Sequence, residues 1–291
     1  MLRNIDIAYA VANLLNMGFN STRAVEIAKD WRVVTQSRSL NNIATYNAKL
    51  DVIDLLKSDG LARLFVSFHY SSYAHLYRAL ALRSQHNAVV SLIGEQSSVH
   101  QAALAKLAAD FDFTLRFVSG GATMLRSIRN ALRDGVSVIL LADLPWSPRR
   151  TPPDCFFDTC IGQFRALSSM TRLVRAMDPQ FAFATAQFRS GKLMLENLPH
   201  QDFEDAFQSL GRLILERPQE YERLHQLHRL CELKGAQKPC AIVFCEQRQR
   251  YRLFTNSMRL FKDQNSHGSS DCEHDAFCVW RLSSDMPRSG R

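Results

Sequence analysis

The stretch that decides the fold is Leu64-Phe65-Val66-Ser67-Phe68-His69-Tyr70-Ser71-Ser72-Tyr73. Residues 64–68 are mostly apolar and include aromatic and β-branched side chains, as is typical of a strand covered on both faces of a sheet. Ser71 or Ser72 can cap a helix N-terminus, and apolar residues recur at helical spacing from Tyr73 to Leu82. The stretch therefore predicts a buried strand that leads directly into a helix.

His69 falls at the end of this predicted strand and beside the start of the helix. Open α/β sheets place their chemistry at this edge. The positive end of a helix favours a neutral imidazole, which can accept a proton. His69 is therefore a candidate general base. The alternative is a strand-end histidine that only bonds to the backbone.

From residue 61 onward, predicted strands and helices alternate. The strands are expected at 64–69, 88–93, 115–118, 136–142, 181–188 and 192–195, and the helices at 72–84, 98–111, 122–133, 166–177, 202–217 and 218–233. Alternation of this kind implies crossover connections between parallel strands. We predict an α/β fold with a central mixed, mostly parallel sheet, flanking helices and an N-terminal helical layer.

The expected organisation has three parts: an N-terminal helical layer over residues 1–60, an α/β domain over residues 61–233, and a C-terminal extension over residues 234–291. Apolar residues at helical spacing predict helices within residues 2–35 and from Asn41 to Leu56. In the extension, residues 240–245 and 251–254 could form two strands. The polar run at 264–271 predicts partial disorder.

Charge and cysteine content limit the class of protein. The formal charge of +8 and the pI near 9.3 indicate an anionic partner, and nucleic acid, an anionic membrane face or an acidic carrier protein bearing phosphopantetheine all fit that sign. Seven scattered cysteines without a secretory signal layout predict a reducing cytoplasm. No run approaches ~20 apolar residues, so we expect a protein that is soluble or sits on a membrane surface.

A proline-rich segment, DLPWSPRRTPP, follows the predicted strand at 136–142 and covers residues 143–153. Its four prolines exclude a helix or a central strand. A loop directly after a strand is a usual place for a functional site. Asp143 opens this loop, where it could orient His69 or a substrate, or simply cap the loop. Arg149 could contact a phosphate.

Other candidate binding residues lie nearby in the chain. Arg126 and Arg129 share one face of a predicted helix at i, i+3 and could hold a phosphate, although a solvated helix face is an equal alternative. Gly162 fits a turn better than a ligand contact.

Several kinds of site are not indicated. The chain has no G-x-x-x-x-G-K or G-x-G-x-x-G pattern for nucleotides and no G-x-S-x-G elbow of a serine hydrolase. His225 and His228 stand at i, i+3, which favours a structural role over a zinc pair. Cys272-Glu273-His274 and Cys278 lack a second ligand pair, so we expect no metal and no cofactor. The basic and aromatic run at 248–262 could bind RNA or an anionic membrane, but an ordinary basic surface is the default and no nucleic acid is expected.

Four blocks of the chain, in this order, resemble the lipid A late acyltransferases. They are Phe68-His69-Tyr70-Ser71-Ser72-Tyr73, the helix and strand from Leu125 to Asp143, the segment from Phe156-Phe157 to Arg175, and Pro218-Gln219-Glu220-Tyr221-Glu222-Arg223-Leu224-His225. The first resembles the family's histidine motif, the third has Gly162 in the place of its FFG, and the last fits its P-x-x-Y-x-x-x-H ending. The resemblance covers about residues 60–233.

The resemblance implies a transfer of a fatty acyl group from acyl carrier protein or acyl-CoA to a hydroxyl or amine of a lipid A precursor-like or secondary-metabolite acceptor. His69 and Asp143 would be the catalytic residues. Tyr73, Arg126, Arg129, Arg149 and Gly162 would contact substrate. The protein would be cytoplasmic or peripheral at the inner membrane, touching anionic lipid. The alternative is a non-catalytic acyl- or lipid-binding accessory protein on the same fold.

Two positions depart from the family pattern. The acid expected five residues after the histidine is Ala74, and Arg223 stands where the family often has tryptophan. The acid orients the histidine in the usual dyad. A residue such as Asp143, or the hydroxyls of Ser71 and Ser72, would have to replace it.

Overall fold

The computed structural model describes residues 3–37, 51–56, 61–84, 86–93, 98–119, 123–143, 152–177, 181–198, 202–235, 240–246, 249–262 and 278–281. Its helices are α1 (Asn4–Asn16), α2 (Ser21–Ser37), α3 (Ala74–Arg83), α4 (Ser98–Asp110), α5 (Met124–Arg133), α6 (Ser168–Ala176), α7 (Phe203–Glu216) and α8 (Leu227–Leu230). Its strands are β1 (Val52–Leu55), β2 (Leu64–Ser67), β3 (Ala88–Ile93), β4 (Thr114–Ser119), β5 (Ser137–Leu141), β6 (Cys155–Asp158), β7 (Gly162–Ala166), β8 (Phe181–Arg189), β9 (Lys192–Leu198), β10 (Cys231–Leu233), β11 (Cys240–Glu246), β12 (Gln249–Phe254), β13 (Arg259–Lys262) and β14 (Cys278–Arg281). Two 3-10 turns lie at Pro218–Glu220 and Leu224–Gln226.

A seven-stranded sheet forms the centre of the molecule, in the order β1-β9-β8-β2-β5-β3-β4. The strands β8, β2, β5, β3 and β4 run parallel, while β9 is antiparallel to β8 and carries β1 parallel to itself. This arrangement confirms the predicted α/β fold with a mixed, mostly parallel sheet and flanking helices.

Apolar layers cover both faces of the central strands. Leu64 and Val66 of β2 belong to a core cluster that includes α1, α2 and α7, whereas Phe65 belongs to a second cluster built with α3 and α4. Because successive side chains of a strand point to opposite faces, a strand packed on both sides must be apolar throughout. Every residue of β2 and β5 is buried accordingly.

The prediction of a helix from Asn41 to Leu56 was wrong for residues 52–55. Residues 52–55 form β1, which pairs with β9 from Val52↔Leu193 to Leu55↔Glu196. The apolar residues Ile53 and Leu56 fit either structure, and the long-range pairing decides between them. Residues 41–50 lie outside the described residues.

The predicted helix at 218–233 was also wrong. This segment contains the two 3-10 turns, the one-turn helix α8 and the strand β10, which pairs with β7. Backbone groups of Tyr221 and Glu222 bond to distant parts of the chain instead of to their own helix: Trp31 Nε1 donates to the Tyr221 carbonyl at 2.9 Å, and Glu222 N donates to the His69 carbonyl at 3.0 Å. These tertiary bonds override the local helical pattern.

The sequence pattern did not predict the hairpin β6–β7, which forms a three-stranded sheet with β10. Four further strands, in the order β13-β12-β11-β14, form a sheet from residues of the C-terminal extension. This sheet packs on α1, where Asn4 Nδ2 donates to the Cys245 carbonyl at 2.8 Å and Asn16 Nδ2 donates to the Thr255 carbonyl at 3.0 Å. The helix α1 and this sheet are therefore packed against each other.

The serines at the start of α3 do not cap it as predicted. The helix begins at Ala74, and its N-cap residue, Tyr73, makes no side-chain capping bond. Ser71 has a left-handed backbone with φ of 52°, which turns the chain before the helix.

Within the described residues, no helix is both long and apolar enough to cross a membrane.

Two histidines join α1 and α2 to the 218–233 segment. The ring of His228 stacks on Tyr9 at 5.0 Å, and the ring of His225 packs on Trp31 at 5.3 Å. Burial, opposed in part by Asp6, lowers the pKa of His225 to about 4. Burial, aided by Arg229, lowers the pKa of His228 to about 4. Both rings are therefore neutral in the folded protein at neutral pH.

We expect the protein to lose stability as the pH falls from about 6.5 toward 4, because the unfolded chain binds protons at His225 and His228 that the folded chain excludes. Each histidine should lower the free energy of unfolding by on the order of 3 kcal/mol at pH 4 relative to pH 7. Urea unfolding at a series of pH values, followed by far-UV circular dichroism, measures this loss.

The double variant His225→Gln/His228→Gln should flatten the pH dependence in this interval, whatever its absolute stability. The matched control is His86→Gln at an exposed position, which should keep the slope of the unmodified protein. An unchanged slope in the double variant would contradict this assignment.

Candidate active site

The site lies where β2 and β5 end side by side. Ser67 pairs with Leu141 in register, and Ala142 N donates to the Ser67 carbonyl at 2.8 Å, which extends the pairing past the strand ends. His69 and Asp143 each follow two residues later. Parallel pairing therefore delivers both side chains to the same carboxyl edge of the sheet.

Asp143 accepts hydrogen bonds from two donors of His69, one of which is shared between its two oxygens. The backbone N of His69 donates to Oδ1 and Oδ2 of Asp143, both at 3.0 Å, and the imidazole Nδ1 lies 2.9 Å from Oδ1. The two side chains are 1% and 0% exposed. The structure therefore places Asp143 in direct contact with His69.

Arg223 occupies the other side of the imidazole. Its Nη2 lies 3.1 Å from Nε2 of His69. A guanidinium only donates hydrogen bonds, so Nε2 must be the acceptor and the ring proton must be on Nδ1, where it is donated to Asp143. The contacts therefore assign a neutral His69 with its lone pair on Nε2.

Two backbone hydrogen bonds clamp the segment 69–71 to the segment 220–222. Glu222 N donates to the His69 carbonyl at 3.0 Å, and Ser71 N donates to the Glu220 carbonyl at 2.7 Å. Tyr70 and Tyr221 form an antiparallel bridge between these bonds. This clamp brings Arg223 onto the imidazole.

Two buried phenols flank the pair. The ring of Tyr73 meets the His69 ring edge-on at 5.0 Å. Burial first, and then the charge of Glu222, raises the pKa of Tyr73 well above its ordinary value. Burial first, and then the charge of Asp143, raises the pKa of Tyr221 well above its ordinary value. Both side chains remain protonated at neutral pH and can donate a hydrogen bond.

The turn after His69 is strained and polar. Ser71, a non-glycine residue, has a positive φ of 52°, a conformation that costs about 1–3 kcal/mol and is common near functional sites. The hydroxyls of Ser71, Ser72 and Tyr73 are buried and have no hydrogen-bond partner among the residues that the structure describes. Buried polar groups are normally paired, so this turn carries three hydroxyls that could still take a hydrogen-bond partner.

An open cleft of about 410 Å³ lies beside the clamp. Apolar and basic side chains share its wall, which includes Tyr70, Gln187, Phe188, Arg212, Leu213 and Arg217. Tyr70 and Glu220, both members of the clamped segments, contribute to the wall, but His69 does not. The cleft therefore reaches the clamp without opening onto Nε2 in this conformation.

Three other predicted site residues, Arg126, Arg129 and Gly162, lie on other elements of the fold. Arg126 and Arg129 are exposed on α5, which packs on β4 and β5. Gly162 pairs with Leu233 of β10, where an added Cβ would collide with the Glu232 carbonyl, so the close approach of two backbones accounts for this glycine. Arg149 lies outside the described residues.

Ala74 is the first residue of α3 and is 2% exposed in the second core cluster. The acid that the resemblance led us to expect at this position is absent, and the carboxylate that contacts His69 is that of Asp143, which follows β5.

Sequence reasoning missed the position of Arg223, which it noted only as a departure from a family pattern. The signal that could have located it is Pro218-Gln219-Glu220-Tyr221, the start of the last of the four blocks. If the last block is assumed to contact the first block in the folded protein, Arg223 is expected near His69.

A scan against models of known protein families found no match, and a search of curated proteins found no similar sequence. The described residues contain no group of three or more histidine, cysteine, aspartate or glutamate side chains placed to hold a metal ion. The fold and the contacts described above define an α/β protein with a buried histidine–aspartate pair at the carboxyl edge of its sheet.

We expect Asp143→Ala to lower the free energy of unfolding by about 3–5 kcal/mol, because it leaves the backbone N and ring Nδ1 of His69 buried without an acceptor. Asp143→Asn should cost less, since its amide oxygen can still accept from the backbone. Urea unfolding gives both values. The control Asp158→Asn, whose side chain is 69% exposed, should change stability by less than about 0.5 kcal/mol.

Nitrogen-15 NMR of the imidazole tests the tautomer independently. The unmodified protein should show a protonated Nδ1 and an unprotonated Nε2 at His69, and Asp143→Ala should disturb that assignment. A protonated Nε2 in the unmodified protein would contradict the hydrogen-bond pattern described above.

Proposed function

We propose that the protein transfers an acyl group from a thioester donor to a hydroxyl or amine acceptor, with His69 as general base. The observation that carries this proposal is the 2.9 Å contact between His69 Nδ1 and Asp143 Oδ1. A carboxylate on Nδ1 holds the proton there and leaves the Nε2 lone pair to accept another, as in other histidine-based acyl transfers.

In the proposed reaction, Nε2 removes the proton of the acceptor as its oxygen or nitrogen bonds to the thioester carbonyl carbon. The tetrahedral intermediate then collapses with cleavage of the C–S bond. The leaving thiolate takes the proton from Nε2, which restores the neutral imidazole. Asp143 keeps the imidazolium oriented and balances its charge through both steps.

The resemblance to the lipid A late acyltransferases gains support from the position of its blocks. The first block holds His69, the second ends at Asp143, and the last supplies Tyr221 and Arg223, all of which meet at one site. A shared order of motifs that also converge in space is the pattern expected of a common site. On this basis we propose acyl carrier protein or acyl-CoA as donor and a lipid A precursor-like or secondary-metabolite acceptor, with peripheral contact to an anionic membrane.

A second candidate function is a non-catalytic acyl- or lipid-binding protein on the same fold. Two observations favour it: His69 is 1% exposed, and its Nε2 is already engaged by Arg223 at 3.1 Å. In this alternative the histidine–aspartate pair serves only the structure.

We expect His69→Ala to reduce acyl transfer roughly 10²–10⁴-fold, because the acceptor loses its general base. The assay supplies long-chain acyl carrier protein and acyl-CoA donors with hydroxyl and amine acceptors, and it follows the acylated product by mass spectrometry. Product detection is preferred to thiol titration because the protein itself contains seven cysteines.

His86→Ala, at an exposed position, is the matched control and should keep full activity. Near-UV circular dichroism checks that the His69 variant is folded. Equal product formation by the His69 variant and the unmodified protein would refute His69 as the base. Donor binding without product in any combination would favour the accessory protein.

A further inference from the structure

Unpaired polar atoms cluster on the two segments that enclose His69. The buried atoms Oγ of Ser71, Oγ of Ser72, the hydroxyl of Tyr73 and Nε of Arg223 have no hydrogen-bond partner within the part of the chain that the structure describes. The three hydroxyl-bearing residues are 6%, 3% and 2% exposed. Since buried polar groups are normally satisfied, the cluster points to a polar molecule that these atoms contact.

The donors of the cluster suit a negatively charged oxygen, which Arg223 would hold against the nearby carboxylates of Glu222 and Asp143. Arg223 is a permanent donor, and Tyr73 remains protonated because burial raises its pKa. The serine hydroxyls can also donate. A guanidinium with further hydrogen-bond donors near it in the structure can stabilise an oxyanion.

Arg223 cannot keep its present position during the proposed reaction. Its Nη2 donates to Nε2 of His69 at 3.1 Å, and the same lone pair must accept the proton of the acceptor. The other contact that the described residues give to this guanidinium is 3.4 Å from Nη1 to Gln226 Oε1, which is a long hydrogen bond. A rotation of the guanidinium therefore frees Nε2 at the loss of the 3.1 Å contact to His69 and the long contact to Gln226.

We propose that Arg223 is the oxyanion-binding residue of this site, and that its contact with Nε2 is the resting state. This inference rests on the proposed acyl transfer. When substrates bind, the acceptor hydroxyl or amine replaces Arg223 on Nε2, and the guanidinium turns to the thioester carbonyl. As the acceptor bonds to the carbonyl carbon, the electrons of the C=O π bond move to the oxygen, which Arg223 holds until the C–S bond breaks and the carbonyl re-forms.

The first test measures binding of a stable mimic of the tetrahedral oxyanion, a long-chain alkylphosphonate, by titration calorimetry. The unmodified protein should bind it at least 10-fold more tightly than Arg223→Gln, with Arg223→Lys between them because lysine keeps the charge without the planar fork. Arg23→Gln, which removes an exposed arginine of α2, is the matched control and should bind like the unmodified protein.

The second test measures turnover. Arg223→Gln should lower kcat about 10²–10³-fold with little change in KM, as expected for a lost oxyanion donor. Millimolar guanidinium should restore part of the kcat of Arg223→Gln but not that of His69→Ala. Arg223→Lys keeps the test decisive if the glutamine variant does not fold.

The outcomes separate this inference from the proposed function. Full kcat in folded Arg223 variants would overturn the role of Arg223 while acyl transfer stands. Equal phosphonate affinity in the unmodified protein and Arg223→Gln would overturn it as well. If the unmodified protein makes no acylated product, the proposed function fails. A loss of phosphonate affinity in Arg223→Gln would then still support an anion site at Arg223.

Discussion

The carboxylate of Asp143 is the interaction on which the rest of the site depends. It accepts from two donors of one residue: the backbone N–H of His69, shared between Oδ1 and Oδ2, and the ring Nδ1. Removing a carboxylate from water costs several kcal/mol, so such a group is retained only where its oxygens are fully used. Here both oxygens are used, and the result is a fixed distance between the ends of β2 and β5 and a fixed tautomer of His69. On the far side of the ring, Arg223 supplies the opposite charge, so the buried carboxylate and the guanidinium compensate each other through the imidazole.

The clamp between residues 69–71 and 220–222 is the second constraint. Two backbone hydrogen bonds and the Tyr70–Tyr221 bridge keep the last segment of the α/β region at the carboxyl edge of the sheet. Trp31, fully buried in α2, holds the same segment from behind through the Tyr221 carbonyl. The N-terminal helices are thus part of the site's support, because they fix the strip of chain that carries Arg223. The strands β11 and β12 pack on α1 in turn, so they also belong to this support.

Most of the parallel sheet could be predicted from the sequence, because its strands and helices are encoded by local apolar patterns such as those around Leu64 and Ile139. The contact between His69 and Asp143 could be predicted in part from the sequence, because both residues end predicted strands and the ends of parallel strands share one edge of the sheet. The sheet order could not be derived: β3 and β4 lie between β2 and β5 in the chain, yet β5 is the neighbour of β2. Residues 218–233 were mispredicted for a related reason. Their apolar spacing suits a helix, but hydrogen bonds to Trp31 and His69 determine their conformation. Ser71 looked like a helix cap, yet the turn takes a left-handed conformation that no local pattern reveals.

The two departures from the family pattern become related once the site is seen in three dimensions. An acid at position 74 would come from the first turn of α3, where a carboxylate gains from the helix dipole. Ala74 instead packs in an apolar cluster, and the carboxylate comes from the end of β5, where it is 0% exposed. A carboxylate this deep requires a compensating charge nearby. Arg223, at the position where tryptophan is frequent in the family, provides that charge on the opposite side of His69. The buried aspartate at the end of β5 and the arginine that the clamp of residues 220–222 positions therefore compensate each other's charge on the two sides of His69.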